Sequence, residues 1–69
     1  MEVRAEMVAN VWKVTVVRGD SVSEGDPLVI LESMKMEIPV ASPLAGTVRD
    51  VLVQEGAVVQ EGDVIAVVE

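Results

Sequence analysis

Val14-Thr15-Val16-Val17-Arg18-Gly19-Asp20-Ser21-Val22-Ser23-Glu24-Gly25-Asp26 has a counterpart 37 residues on, Val51-Leu52-Val53-Gln54-Glu55-Gly56-Ala57-Val58-Val59-Gln60-Glu61-Gly62-Asp63. Gly19 and Gly56, Val22 and Val59, and the two Glu-Gly-Asp triplets share the same offset. Worked outward, the offset aligns Val3–Glu32 with Val40–Glu69, and ten of the 30 pairs are identical. Matched valines weigh little in so valine-rich a chain. Glycines and Glu-Gly-Asp triplets that recur in register weigh a great deal, so one unit is written twice. The copies, residues 3–32 and 40–69, leave over only Met1-Glu2 and the joining stretch Ser33–Pro39. At 69 residues the chain reads as a single domain, 1–69.

Each copy alternates β-branched runs with turns. Val11–Val17 and Val48–Val53 have partial period-two alternation, and a second run follows each Glu-Gly-Asp turn, at Leu28–Leu31 and Val64–Val68. Gly and Asp tolerate left-handed turn conformations, which explains where the runs break. Val, Ile and Thr fill 22 of the 69 positions, Phe and Tyr are absent, and no stretch has sustained helical periodicity. The expectation is an all-β fold: two homologous half-sheets about a pseudo-twofold axis, forming a small sandwich or flattened barrel. Trp12, the one aromatic residue, is read as a packing residue, and Arg18-Gly19-Asp20 as a plain turn, since its repeat partner is Glu55-Gly56-Ala57.

Bulk chemistry narrows the function. There is neither Cys nor His, so the core has no disulfide or thiolate–imidazole metal site to lean on. A formal charge of −7 argues against nucleic acid and anionic membranes, which need a Lys/Arg footprint. No apolar run approaches the ~20 residues of a membrane span. The first ten residues lack a signal-peptide layout, and a cytoplasmic protein is the simplest expectation.

Ser33–Pro39 must reverse the chain between the copies, yet it holds no Gly, Asn or Asp, and no Pro before Pro39. A tip without turn residues breaks a local rule, and such breaks mark functional sites. The tip also exposes Lys35, one of only two lysines, between Met34 and Met36. Glu32-Ser33-Met34-Lys35-Met36-Glu37, with a strand on each side, resembles the attachment hairpin of the biotinyl/lipoyl domain family, and is most similar to stand-alone biotin/lipoyl attachment proteins and biotin carboxyl carrier proteins. The similarity spans the chain, both Gly-Asp turns included. It departs from the family pattern at Ser33, where Ala is usual, and in having no protruding thumb segment.

The resemblance implies two four-stranded antiparallel sheets, with Lys35 as the site of covalent biotin. It implies that a biotin protein ligase reads Met34 and Met36, together with Glu32, Ser33 and Glu37. Biotin carboxylase and carboxyltransferase components would be the later partners of a monomeric carrier. An amide forms when a neutral amine attacks an activated acyl-adenylate, and an ordinary exposed lysine holds its proton at pH 7. No His or buried acid stands ready to help, so base and activated acyl group must come from the ligase; the chain is a substrate, not an enzyme. Methionine suits the flanks because its thioether adapts to a partner's pocket. The alternatives are a lipoyl carrier (or a chain accepting both groups) and an unmodified interaction module. Lipoyl hairpins typically place Asp before the lysine, where Met34 stands, and the unmodified modules lack the lysine.

Overall fold

The valine runs do form strands, as branched side chains favour, but the strands stop before the valines do. In the computed structural model, which describes residues 1–69, the strands are β1 (Glu2–Arg4), β2 (Ala9–Val14), β3 (Ser21–Val22), β4 (Pro27–Ser33), β5 (Met36–Ala41), β6 (Gly46–Val51), β7 (Val58–Val59) and β8 (Val64–Val68). The run expected over Val11–Val17 ends at Val14. Thr15 is captured by the neighbouring strand: its N–H donates to the Leu28 carbonyl and its Oγ1 to the carbonyls of Pro27 and Leu28. The Val17 N–H then donates to the Asp20 carboxylate. Thr15 thus stays beside β4, and the chain crosses over in the Val17–Asp20 turn, where the Asp20 N–H bonds the Val17 carbonyl and Gly19 and Asp20 exchange bonds with Val48 of the other sheet.

The strands form two four-stranded sheets, ordered β1-β8-β6-β3 and β5-β4-β2-β7, with every pairing antiparallel. A shift of 37 residues carries β2 onto β6, β3 onto β7 and the start of β4 onto β8, and so carries the second sheet onto the first. Details repeat as well. Asp26 accepts from the Ser23 N–H and Asp63 from the Gln60 N–H. The Gly25 and Gly62 N–H groups, in turns with φ 91 at both glycines, bond the Ser42 and Ala5 carbonyls. The fold is the flattened two-sheet barrel with internal pseudo-twofold symmetry.

Between the sheets lie small apolar side chains paired by the repeat: Val11 with Val48, Leu28 with Ile65, and Leu31 with Val68, all at most 2% exposed. Ser42 is the one buried polar residue, and its hydroxyl is satisfied by donating to the Leu44 carbonyl. Trp12 is not in this core; it is 44% exposed. Register explains the misreading. Ala9 and Val11 point inward, so Trp12 falls on the outward side of β2. Because Val11 pairs Leu31 and Lys13 pairs Ile30, it is also the unopposed residue of a bulge, which keeps Lys13 outward as well. Arg49, its repeat partner, occupies the matching bulge between Val48 and Asp50.

One glycine is needed for space and not for its φ. A Cβ on Gly46 would lie 2.1 Å from the backbone carbonyl oxygen of Glu69. The repeat partner of Gly46 is Ala9, which does carry a Cβ. Gly46→Ala must push the end of β8 away from Thr47, whose N–H and carbonyl both bond Glu69. Overpacking of this kind costs about 1–3 kcal/mol, which in a domain this small lowers Tm by roughly 5–20 °C. A thermal melt followed by circular dichroism checks it, and an unchanged Tm would mean that the end of β8 yields freely.

Candidate functional site

The residues singled out in the sequence sit together on the β4–β5 hairpin. Its ladder is the longest in the molecule: Val29↔Val40, Ile30↔Pro39, Leu31↔Ile38, Glu32↔Glu37 and Ser33↔Met36. The stretch Ser33–Pro39 is therefore not a loop. Ser33 ends β4, Met36 begins β5, and only Met34 and Lys35 turn the chain. Both have positive φ, 52 at Met34 and 64 at Lys35, and they are the only non-glycine residues in the protein that do. Two positive-φ central residues are the signature of a type I′ hairpin turn, whose twist matches the strands and which normally recruits Asn-Gly. A side chain in this region costs about 1–2 kcal/mol per residue, and the hairpin ladder is what holds the turn against that cost. The turn keeps Met-Lys where Asn-Gly would be more stable.

All of the tip faces water except Ser33, which is half-buried. Met34 is 91% exposed and Met36 64% exposed, and Lys35, Glu32 and Glu37 are exposed too. The two ion pairs of the molecule, Arg4–Glu2 and Arg49–Glu69, leave the Lys35 ammonium uncommitted. Glu32 and Glu37 stand directly opposite one another, an arrangement that like charge disfavours. Lys35 lies between them along the chain.

The tip is far from the chain ends. From Ser33 back to Pro27, β4 covers roughly 20 Å. At that inner end the Ser42 N–H bonds the Asp26 carbonyl, and Ser42 leads to Gly46, against which Glu69 packs. Met1 in turn bonds the carbonyl of Val68 through its amino group. In a molecule 31 Å long and 17 Å across, the lysine projects from one end and the termini gather at the other.

The molecule is thus a repeat-built β domain that presents an exposed lysine on a protruding turn. Residues 2–68 match the family described as "Biotin-requiring enzyme", and the chain belongs to that family. It is 57% identical over 67 residues to a biotinylated protein TB7.3 homolog of Mycobacterium leprae, covering 97% of this chain and 94% of that one. It is 48% identical over 65 residues to the biotin/lipoyl attachment protein of Bacillus subtilis, covering 94% and 89%. Among solved structures, the urea carboxylase of Kluyveromyces lactis contains a domain that superposes with a TM-score of 0.94 at 33% identity. The match covers all of this chain and 6% of that protein.

Proposed function

We propose that this protein is a biotin carrier, modified on Lys35 by a biotin protein ligase and serving biotin carboxylase and carboxyltransferase components as a monomer. The observation that carries the reading is the Met34-Lys35 turn: a strained, water-exposed apex that spends stability to present an unpaired amine. Family membership and the similarity to carboxylase domains support biotin as the group attached. The site fits the group, since an exposed, uncommitted amine at a projecting tip can enter another enzyme's active site and an amide can form there without unfolding the hairpin.

When attached, biotin supplies a ring able to carry a carboxyl group. The chain's own residues supply position. The β4–β5 ladder fixes the direction of the Lys35 stem, Met34 and Met36 offer adaptable apolar flanks to the ligase, and Glu32, Ser33 and Glu37 frame the approach. Tethering then turns a second-order delivery into a local one.

Incubation with biotin ligase, ATP and biotin, followed by proteolysis and mass spectrometry, should find biotin on the Lys35 peptide alone. In a parallel reaction, lipoate ligase and lipoate should modify the chain poorly. Exclusive lipoylation, or biotin on Lys13, would refute the reading. Met34→Asp combined with Met36→Ala gives the tip a lipoyl-like flank. Because both side chains are exposed, the fold should survive while the biotinylation rate falls by about tenfold or more, the size of a lost anchor contact. An unchanged rate would remove the methionines from recognition.

A further inference from the structure

The internal repeat supplies a control that few surfaces have: two outer sheet faces built on the same backbone, only one of which carries the lysine tip. On the β5-β4-β2-β7 sheet, register places Pro39, Ile30 and Lys13 in one outward row and Glu37, Glu32, Asn10 and Val58 in the next, nearer the tip. Trp12 lies on this face too, with the Lys13 ammonium 5.6 Å from its ring centroid. Trp12 and Val58 are 44% and 63% exposed, Pro39 is exposed and Ile30 half-buried. At the equivalent places on the opposite sheet the chain has Arg49 for Trp12, Ser21 for Val58 and Glu2 for Pro39, while Val67 stands for Ile30. At three of these four places identical folding demands are met by a polar residue on one face and an apolar one on the other; Ile30 has an apolar counterpart. The fold therefore does not require Trp12, Val58 or Pro39 to be apolar.

We infer that Trp12, Val58, Pro39 and Ile30 form a docking face for the biotin ligase, rimmed at the tip by Glu32 and Glu37. The inference rests on Lys35 being the ligase's target. Position argues for the ligase. A lysine amine reaches no farther than its four-carbon stem, so an enzyme acting on that amine must close over the hairpin's flanks. An enzyme acting on the far end of the attached arm stands off by the arm's length. Ile30 and Pro39 are only about 10 Å along the strands from the turn, within the ~800 Å² that a standard partner covers. Charge sets the partner's chemistry: an apolar shelf for Trp12 and Val58, edged by basic groups that meet Glu32 and Glu37. Such a face matches hot-spot anatomy, an aromatic anchor within a polar rim.

The test measures steady-state biotinylation of the full 69-residue chain by the biotin ligase, with ATP and biotin saturating. Trp12→Arg with Val58→Ser gives this face the residues its repeat partner already carries. The double variant should raise KM for the chain by about tenfold, as expected for a lost aromatic anchor, with kcat unchanged. Val58→Ser alone, on an edge strand, should move KM in the same direction even if the double variant melts. Arg49→Ala, on the opposite face, should leave KM at the wild-type value. Unchanged KM in the variants, with the wild type biotinylated normally, overturns the docking face and leaves the carrier reading standing. A wild type that the ligase does not modify at all defeats both. A wild-type dimer that the double variant converts to monomer would assign the face to a second copy. Normal ligase kinetics with impaired carboxylation would assign it to a carboxylase component. Either result overturns the inference.

Discussion

Lys35→Arg should abolish biotinylation while leaving the fold intact. The substitution keeps the positive charge and the long apolar stem, and arginine at the apex meets the same positive-φ requirement as lysine does. What it removes is chemistry: a guanidinium does not lose its proton at accessible pH and offers no amine lone pair for amide formation. Lys13→Arg should leave the modification at the wild-type level, because Lys13 lies within β2 with its ammonium over the Trp12 ring, where no turn protrudes for a ligase to grip. The amino terminus, the other competing amine, is engaged by the Val68 carbonyl at the far end of the molecule. Intact-mass spectrometry after ligase treatment, with streptavidin capture, reads the result directly. Stoichiometric biotin on Lys35→Arg would overturn the assignment of the site.

Leu28→Ala should be the most damaging single truncation to stability. Leu28 is 0% exposed and lies where the β4 ladder meets Thr15, which its own carbonyl anchors. Truncating a buried leucine to alanine costs about 2–5 kcal/mol. Natural domains hold about 0.05–0.15 kcal/mol per residue, so a chain this short has little in reserve. Urea unfolding should show a large fall in midpoint, with part of the population unfolded at 37 °C. Leu52→Ala, at a leucine 53% exposed, should shift the midpoint little. Equal losses at the two positions would contradict the core described above.

Much of this architecture was legible because the repeat doubled each signal. A single Glu-Gly-Asp is an ordinary turn; two at one offset, each with its Asp carboxylate accepting a backbone N–H, mark equivalent corners. The tip was legible for the opposite reason, the absence of turn residues where a turn is required, and the positive φ values of Met34 and Lys35 are the physical content of that absence. Bulges were not legible. Nothing in Val11-Trp12-Lys13 announces that two residues oppose one across the ladder, which is why Lys13 joins Trp12 on the outer face and Trp12, 44% exposed, packs with Lys13 there and not in the core. Nor was the early end of β2, because Val16 and Val17 extend the β-branched pattern while the Val17–Asp20 turn carries the chain over to Val48 of the other sheet. Sequence periodicity reports side-chain chemistry along one strand. Bulges and crossings are set by what the neighbouring strand offers.

The pairing of Met1 with Val68 reproduces that of Ile38 with Leu31, one residue pair inside the Glu32–Glu37 step. By the repeat, Glu69 stands for Glu32 and Met1 for Ile38, and the only residues without a counterpart are the five from Ser33 to Glu37. The ends of the chain are thus an open version of the hairpin. Inserting Ser-Met-Lys-Met-Glu between Glu69 and Met1 would close the backbone into a ring with a Met-Lys turn at each pole. Cutting that ring at the original turn would give a circular permutant with its one intact Met-Lys turn at the opposite pole.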